Sequence, residues 1–137
     1  MQNRKGFTLV EMLVVIAVIG IISTVALTAL GPSRTKAKDT RIISDLNQVR
    51  AVAETLYTTN YAALPTGVAI ANHPQIGPLN TSINNNGGSL QIAKFATDSK
   101  YRAFSQLPGG GFYCVNSDGF AGTIANQPTD VNDSGCQ

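Results

Sequence analysis

The chain has 137 residues, 43% of them hydrophobic, 13% charged and 7% aromatic, with no tryptophan. Its single histidine, two cysteines and formal charge of +2 argue against an active site, a metal cluster or a nucleic-acid surface. His73 precedes Pro74 with no nucleophile beside it, and no set of stacking aromatics accompanies the basic residues. The chain reads as a non-enzyme with no specific nucleic-acid partner and a modest core.

A basic stub, Arg4-Lys5-Gly6, precedes an apolar run of 24 residues from Phe7 to Leu30. As a helix this run reaches roughly 36 Å, and a bilayer core is about 30 Å thick, so a single membrane span is predicted. Val14, Val15, Ile16, Val18 and Ile19 are β-branched, a poor choice for a helix in water. In lipid the backbone must satisfy its own hydrogen bonds, and helix prevails. Arg4 and Lys5 place the amino end on the cytoplasmic side and the remainder outside. Glu11 lies near the start of the run, and no further charge occurs before Arg34. A lone carboxylate at bilayer depth costs on the order of 2–3 kcal/mol or more, so Glu11 is expected to have a partner. A cleaved secretory signal ending near Ala29-Leu30-Gly31 accounts for the apolar run. It does not account for Glu11, nor for a region longer than the usual 7–15 or so residues. A generic single-span anchor leaves Glu11 unexplained as well.

Gly31 and Pro32 follow, where a kink or a meltable joint is expected because proline removes a backbone donor. Beyond them Arg34, Lys36, Lys38 and Arg41 interleave with Asp39 and read as a solvated helix face. Ile42, Leu46, Val49, Ala53 and Leu56 then recur in steps of four and three, widened by Ile43, Val52 and Tyr57. This stripe is expected to pack on the chain's own carboxy-terminal sheet, with Arg50 and Glu54 on the opposite face as an i,i+4 pair. The helix is predicted to end at Thr58 to Asn60. From Leu64 to Gly88 the Asn, Pro, Gly and Thr content predicts a surface loop, pinned by Val68, Ile70, Ile76, Leu79 and Ile83. Strands are predicted at Leu90–Ala96, Lys100–Gln106, Phe112–Asn116 and Phe120–Ala125. The turns Pro108–Gly111 and Ser117–Gly119 make the last three an antiparallel meander. The fold class is therefore α+β. Near the carboxy end, Asp130-x-Asn132-x-Ser134-Gly135 begins like a calcium loop, but no glutamate follows to complete it.

The residues Lys5-Gly6-Phe7-Thr8-Leu9-Val10-Glu11-Met12-Leu13 closely resemble the prepilin processing signal of type IV pilins and the pseudopilins of type II secretion. The resemblance runs from Arg4 to about Tyr61, and beyond that only the general layout and the late cysteine pair are shared. It implies a leader, residues 1–6, removed by a membrane aspartyl prepilin peptidase that cuts between Gly6 and Phe7 and then N-methylates Phe7. Glycine suits such a cut, since without a Cβ the backbone lies easily extended in a protease cleft. It further implies a membrane and filament-core helix over residues 7–30, with Gly20 as the family's helix glycine. A pilin-like globular domain over residues 31–137 follows, its half-helix running to about residue 60. Glu11 would pair with the Phe7 amine of a neighbouring subunit in a homo-oligomeric helical filament, where the pairing fixes register more than stability. An inner-membrane assembly platform is the implied partner, and the implied location is the inner membrane followed by a cell-surface or periplasmic filament.

Many pilins close a carboxy-terminal loop with a disulfide, and Cys114 and Cys136 are the only two cysteines here, both on the side read as extracytoplasmic. Bridging them would contribute about 3 kcal/mol in the chain-entropy model. A reduced or metal-binding pair, with His73 as the only other soft ligand, is the competing reading. Major pseudopilins hold calcium in a carboxy-terminal loop, which makes Asp118, Asp130 and Asp133 the candidate calcium ligands. The favoured reading has no cofactor, with plain Asn/Asp turn chemistry in that loop. The preferred function is a structural pilin subunit. The alternatives are a secretion-piston pseudopilin and a minor tip pilin that binds DNA or a surface.

Overall fold

The computed structural model describes residues 6–95, 98–129 and 135–136. The chain divides into two compact units, residues 1–34 and 35–137. Helix α1, Leu9–Leu56, contributes to both. It runs through Gly31 and Pro32 without interruption, so the proline's missing donor does not end the helix, and the unit boundary falls just beyond it at Arg34.

In the first unit every described side chain is exposed. The hydroxyls within the apolar run are satisfied locally: Ser23 donates to the Ile19 carbonyl, Thr24 to that of Ile21 and Thr28 to that of Val25. Such back-bonding lets a hydroxyl sit in an apolar setting without an outside partner.

The second unit places its core between α1 and a four-stranded sheet. Ile42, Leu46, Val49 and Ala53 of α1 are fully buried, as the four-and-three spacing predicted. Leu56 is half-buried against the same core, and Tyr57 lies exposed. The helix stops at Leu56, a turn earlier than expected. Its last carboxylate, Glu54, accepts the hydroxyls of Tyr61 at 3.2 Å and Tyr101 at 3.3 Å.

The stretch read as a surface loop holds two short helices, α2 (Ala69–Asn72) and α3 (Gly77–Asn85). Pro78 in the first turn of α3 supplies a fixed φ where no donor is needed. Ile76, Leu79 and Ile83 fall on one face, and Ile76 and Ile83 are fully buried. Polar composition hid a period that these three residues carry. Ile70 is also buried, but Val68 is 92% exposed and pins nothing. Where Gly77 passes Ala71 a Cβ would lie 2.6 Å from a backbone carbonyl, so only glycine fits.

Strands β1 (Gln91–Phe95), β2 (Lys100–Gln106), β3 (Phe112–Asn116) and β4 (Ala121–Ile124) form an antiparallel meander in the order β1-β2-β3-β4. The two inner strands keep their predicted limits, and the outer two are slightly shorter; Ala96 lies outside the described residues. Register pairs Ala103 with Val115, Phe104 with Cys114 and Cys114 with Gly122. Successive side chains alternate faces. Tyr101, Ala103 and Val115 join the core with α1, while Phe104 and Cys114 form a second cluster with Cys136, flanked by Phe112 and Ile124. Both faces of β2 are covered, so it is buried from Tyr101 to Ser105. The β2–β3 turn is tied to α1, since the Gly109 N–H donates to Asp39 Oδ1 at 3.0 Å. Asp39 thus belongs to packing rather than to a purely solvated face.

Candidate functional site at the amino-terminal segment

Gly6, Phe7 and Thr8 are exposed and lie outside the helix, which begins at Leu9. Among the described residues nothing beyond its chain neighbours would lie within 4 Å of a Cβ placed on Gly6, so they do not demand glycine there. Thr8 and Glu11 form a reciprocal cap. The Glu11 N–H donates to Thr8 Oγ1 at 3.3 Å, and the Thr8 N–H donates to Glu11 Oε2 at 2.8 Å. The Thr8 hydroxyl also donates to Glu11 Oε2, at 2.7 Å. This is a capping box, Thr-x-x-Glu just ahead of an apolar run. The Thr-x-x-Glu spacing is present in the sequence, where the lone charge of Glu11 is the more conspicuous signal.

Behind the box, Leu9, Met12, Leu13 and Ile16 line a shallow apolar groove of about 240 Å³, and Phe7, Leu9 and Val10 are among the most exposed large apolar side chains of this unit. Among the described residues α1 is the one helix long and apolar enough to cross a membrane by length and composition. A surface of this kind is unstable in water and needs lipid or protein around it.

The carboxy-terminal candidates fall partly inside the described residues. Cys114 and Cys136 are joined in a buried disulfide with Cα atoms 5.8 Å apart, as the family resemblance implied. Asp118, a candidate calcium ligand, is held by Lys100 Nζ at 3.2 Å. Asp130 and Asp133 lie outside the described residues, and among the described residues no three metal-capable side chains gather. His73 turns its Nδ1 toward its own backbone and accepts the N–H groups of Gln75 at 3.3 Å and Ile76 at 3.2 Å.

Two buried charges went unread. Arg102 is only 4% exposed, beside the Phe95 and Phe104 rings at 4.9 Å and 5.9 Å. It donates to the carbonyls of Gly135 at 3.1 Å and Pro128 at 3.4 Å, clasping the tail beside Cys136. Asp45 of α1 is fully buried and paired with Arg41 at 3.4 Å, and Arg41 also donates to Ser82 of α3. In a strand or helix pattern these two occupy ordinary polar positions, and no sequence signal separates them from surface charges.

Comparison with known proteins follows the same line. The prokaryotic N-terminal methylation motif matches residues 1–27. The chain is 40% identical over 70 residues to the type IV wide pilus major component PilA4 of Thermus thermophilus, covering 47% of this chain and 53% of that one. It is 26% identical over 100 residues to a fimbrial protein of Pseudomonas aeruginosa, covering 73% and 64% of the two. With the type II secretion system core protein G of Klebsiella michiganensis it shares 27% identity over 127 residues, 90% of this chain and 80% of the relative. The matches to the first two span less than two thirds of those proteins' own lengths. No solved structure matches the chain. Through a methylation motif at the head of an apolar run, and through relatives that are pilus, fimbrial and secretion proteins alike, the chain is similar to the type IV pilin and type II secretion pseudopilin family.

Proposed function

We propose that the protein is a structural subunit, a pilin, that polymerises through its apolar helix after its leader is removed. The carrying observation is the exposed, non-helical Gly6–Phe7 pair set just before the apolar part of α1, whose described side chains are all exposed as far as Arg34. A prepilin peptidase would add water across the Gly6–Phe7 amide, leaving a carboxylate on Gly6 and an amine on Phe7. That amine would then take a methyl group from a sulfonium donor, which leaves as a thioether while the amine gives up a proton. In the filament, Phe7 of one subunit would meet Glu11 of the next. Each charge offsets the other's desolvation, and a wrong axial register leaves both unpaired. The disulfide Cys114–Cys136 staples the tail to β3, and an oxidising exterior would preserve it. An inner-membrane platform would feed subunits to a surface filament.

The match to a secretion core protein over 90% of the chain favours a second reading, a pseudopilin in a short secretion filament. Both readings require the same processing. The intact mass of the protein isolated from its own cells tests it, and we expect a chain that begins at N-methyl-Phe7. A mature chain beginning near Gly31 would replace this reading with a secretory signal.

A further inference from the structure

The capping box sets a boundary. Its hydrogen bonds start the helix at Leu9 and leave Gly6, Phe7 and Thr8 outside it, exposed. In an apolar setting an uncapped helix start leaves backbone N–H groups without acceptors, so a helix that loses its cap gains by running back to the next capping residue. Upstream of Thr8 the next residue with a side-chain acceptor for a cap is Asn3, since Gly6 has no side chain, and a helix starting after Asn3 would contain both Gly6 and Phe7. A peptide bond inside a helix is curled and hydrogen-bonded to its own chain, and a protease reaches it only after local unfolding.

We propose that Thr8 is a positioning residue for leader removal: it stops the membrane helix at Leu9 and so holds the Gly6–Phe7 bond in the extended form that a peptidase cleft takes. The proposal rests on the reading of Gly6–Phe7 as the cleavage site. Glu11 supplies the other half of the box but is not needed for this task. Without its side chain the N–H of residue 11 still donates to Thr8 Oγ1, and the helix start survives. The two residues therefore divide the work, Thr8 acting at processing and Glu11 at assembly.

The test uses the full-length chain in lipid–detergent micelles with a purified membrane aspartyl prepilin peptidase, cleavage being followed by intact mass. Wild type, Thr8→Ser and Glu11→Ala are expected to be cut at the same rate. Thr8→Val, which keeps the shape and loses the hydroxyl, is expected to be cut about fivefold more slowly, the size of one lost N-cap. Carbon chemical shifts at Gly6 and Phe7 in the same micelles should read extended in wild type and Thr8→Ser, and helical in Thr8→Val. Cutting of Thr8→Val at the wild-type rate overturns the proposal. So does slow cutting with Gly6 and Phe7 still extended, which would make Thr8 a direct contact of the peptidase. A wild-type chain left uncut at Gly6–Phe7 sinks the processing reading itself, a result distinct from either of these.

Discussion

Arg102 carries a positive charge into the sheet and spends it on the tail. Its guanidinium lies beside two aromatic rings and donates to two carbonyls of the tail, on Pro128 and Gly135. A charged donor bonded to a carbonyl in a buried setting contributes more than a neutral one, and a stacked guanidinium adds to it. Arg102→Met keeps much of the apolar stem and deletes the donors, so it should cost about 2–4 kcal/mol. Denaturant titration of the unit from Thr35 onward, with the disulfide intact, measures this, and a midpoint unchanged from wild type would mean that the disulfide alone holds the tail. The sequence could not disclose this arginine, because Lys100-Tyr101-Arg102-Ala103 alternates as a strand with one wet face would. The tail covers that face, and the covering is a long-range event with no local signal. Asp45 is hidden for a like reason: it is a polar residue buried on α1, and its partner Arg41 reaches Ser82 of α3, a contact 41 residues away with no local signal.

At the scale of elements, the end of α1 is locked by a cluster of tyrosines around Glu54. Tyr61 packs edge-on to Tyr101 with ring centroids 4.6 Å apart, and both hydroxyls donate to the Glu54 carboxylate. Burial, then the nearby Glu54 charge, pushes the Tyr61 hydroxyl up to about 12, and the same two causes raise Tyr101. An unfolded tyrosine releases its proton near pH 10 or so, while the folded ones still hold theirs. The unfolded state therefore binds fewer protons above that point, and stability falls as pH rises. The contribution is complete below about pH 10 and is lost as pH climbs toward the raised Tyr61 value. The denaturation midpoint of the unit from Thr35 onward should decline across that window, and Tyr61→Phe combined with Tyr101→Phe should flatten the decline. Equal slopes in wild type and the double variant would remove the tyrosines from the account. The elements themselves were legible where periodicity was strong, in α1 and the two inner strands. The helices at Ala69–Asn72 and Gly77–Asn85 were not, because Asn, Thr and Ser there outweighed three well-spaced apolar residues.

For the whole molecule, the sequence carried the α+β class, the disulfide and the amino-terminal motif because each rests on a plain signal: helical and strand periodicity broken by turns, a single cysteine pair and a short motif. The capping box was equally local and went unread, since Glu11 had a more conspicuous meaning as a charge. The central claim is that this chain polymerises through its apolar helix, with Glu11 governing assembly rather than processing. The most direct measurement is filament yield, by electron microscopy of cells expressing either wild type or Glu11→Ala, with the mass of each membrane-held subunit taken alongside. The account predicts filaments built of chains beginning at Phe7 for wild type. For Glu11→Ala it predicts a processed, membrane-held subunit with filaments sharply reduced. Filaments at wild-type yield from Glu11→Ala would contradict it.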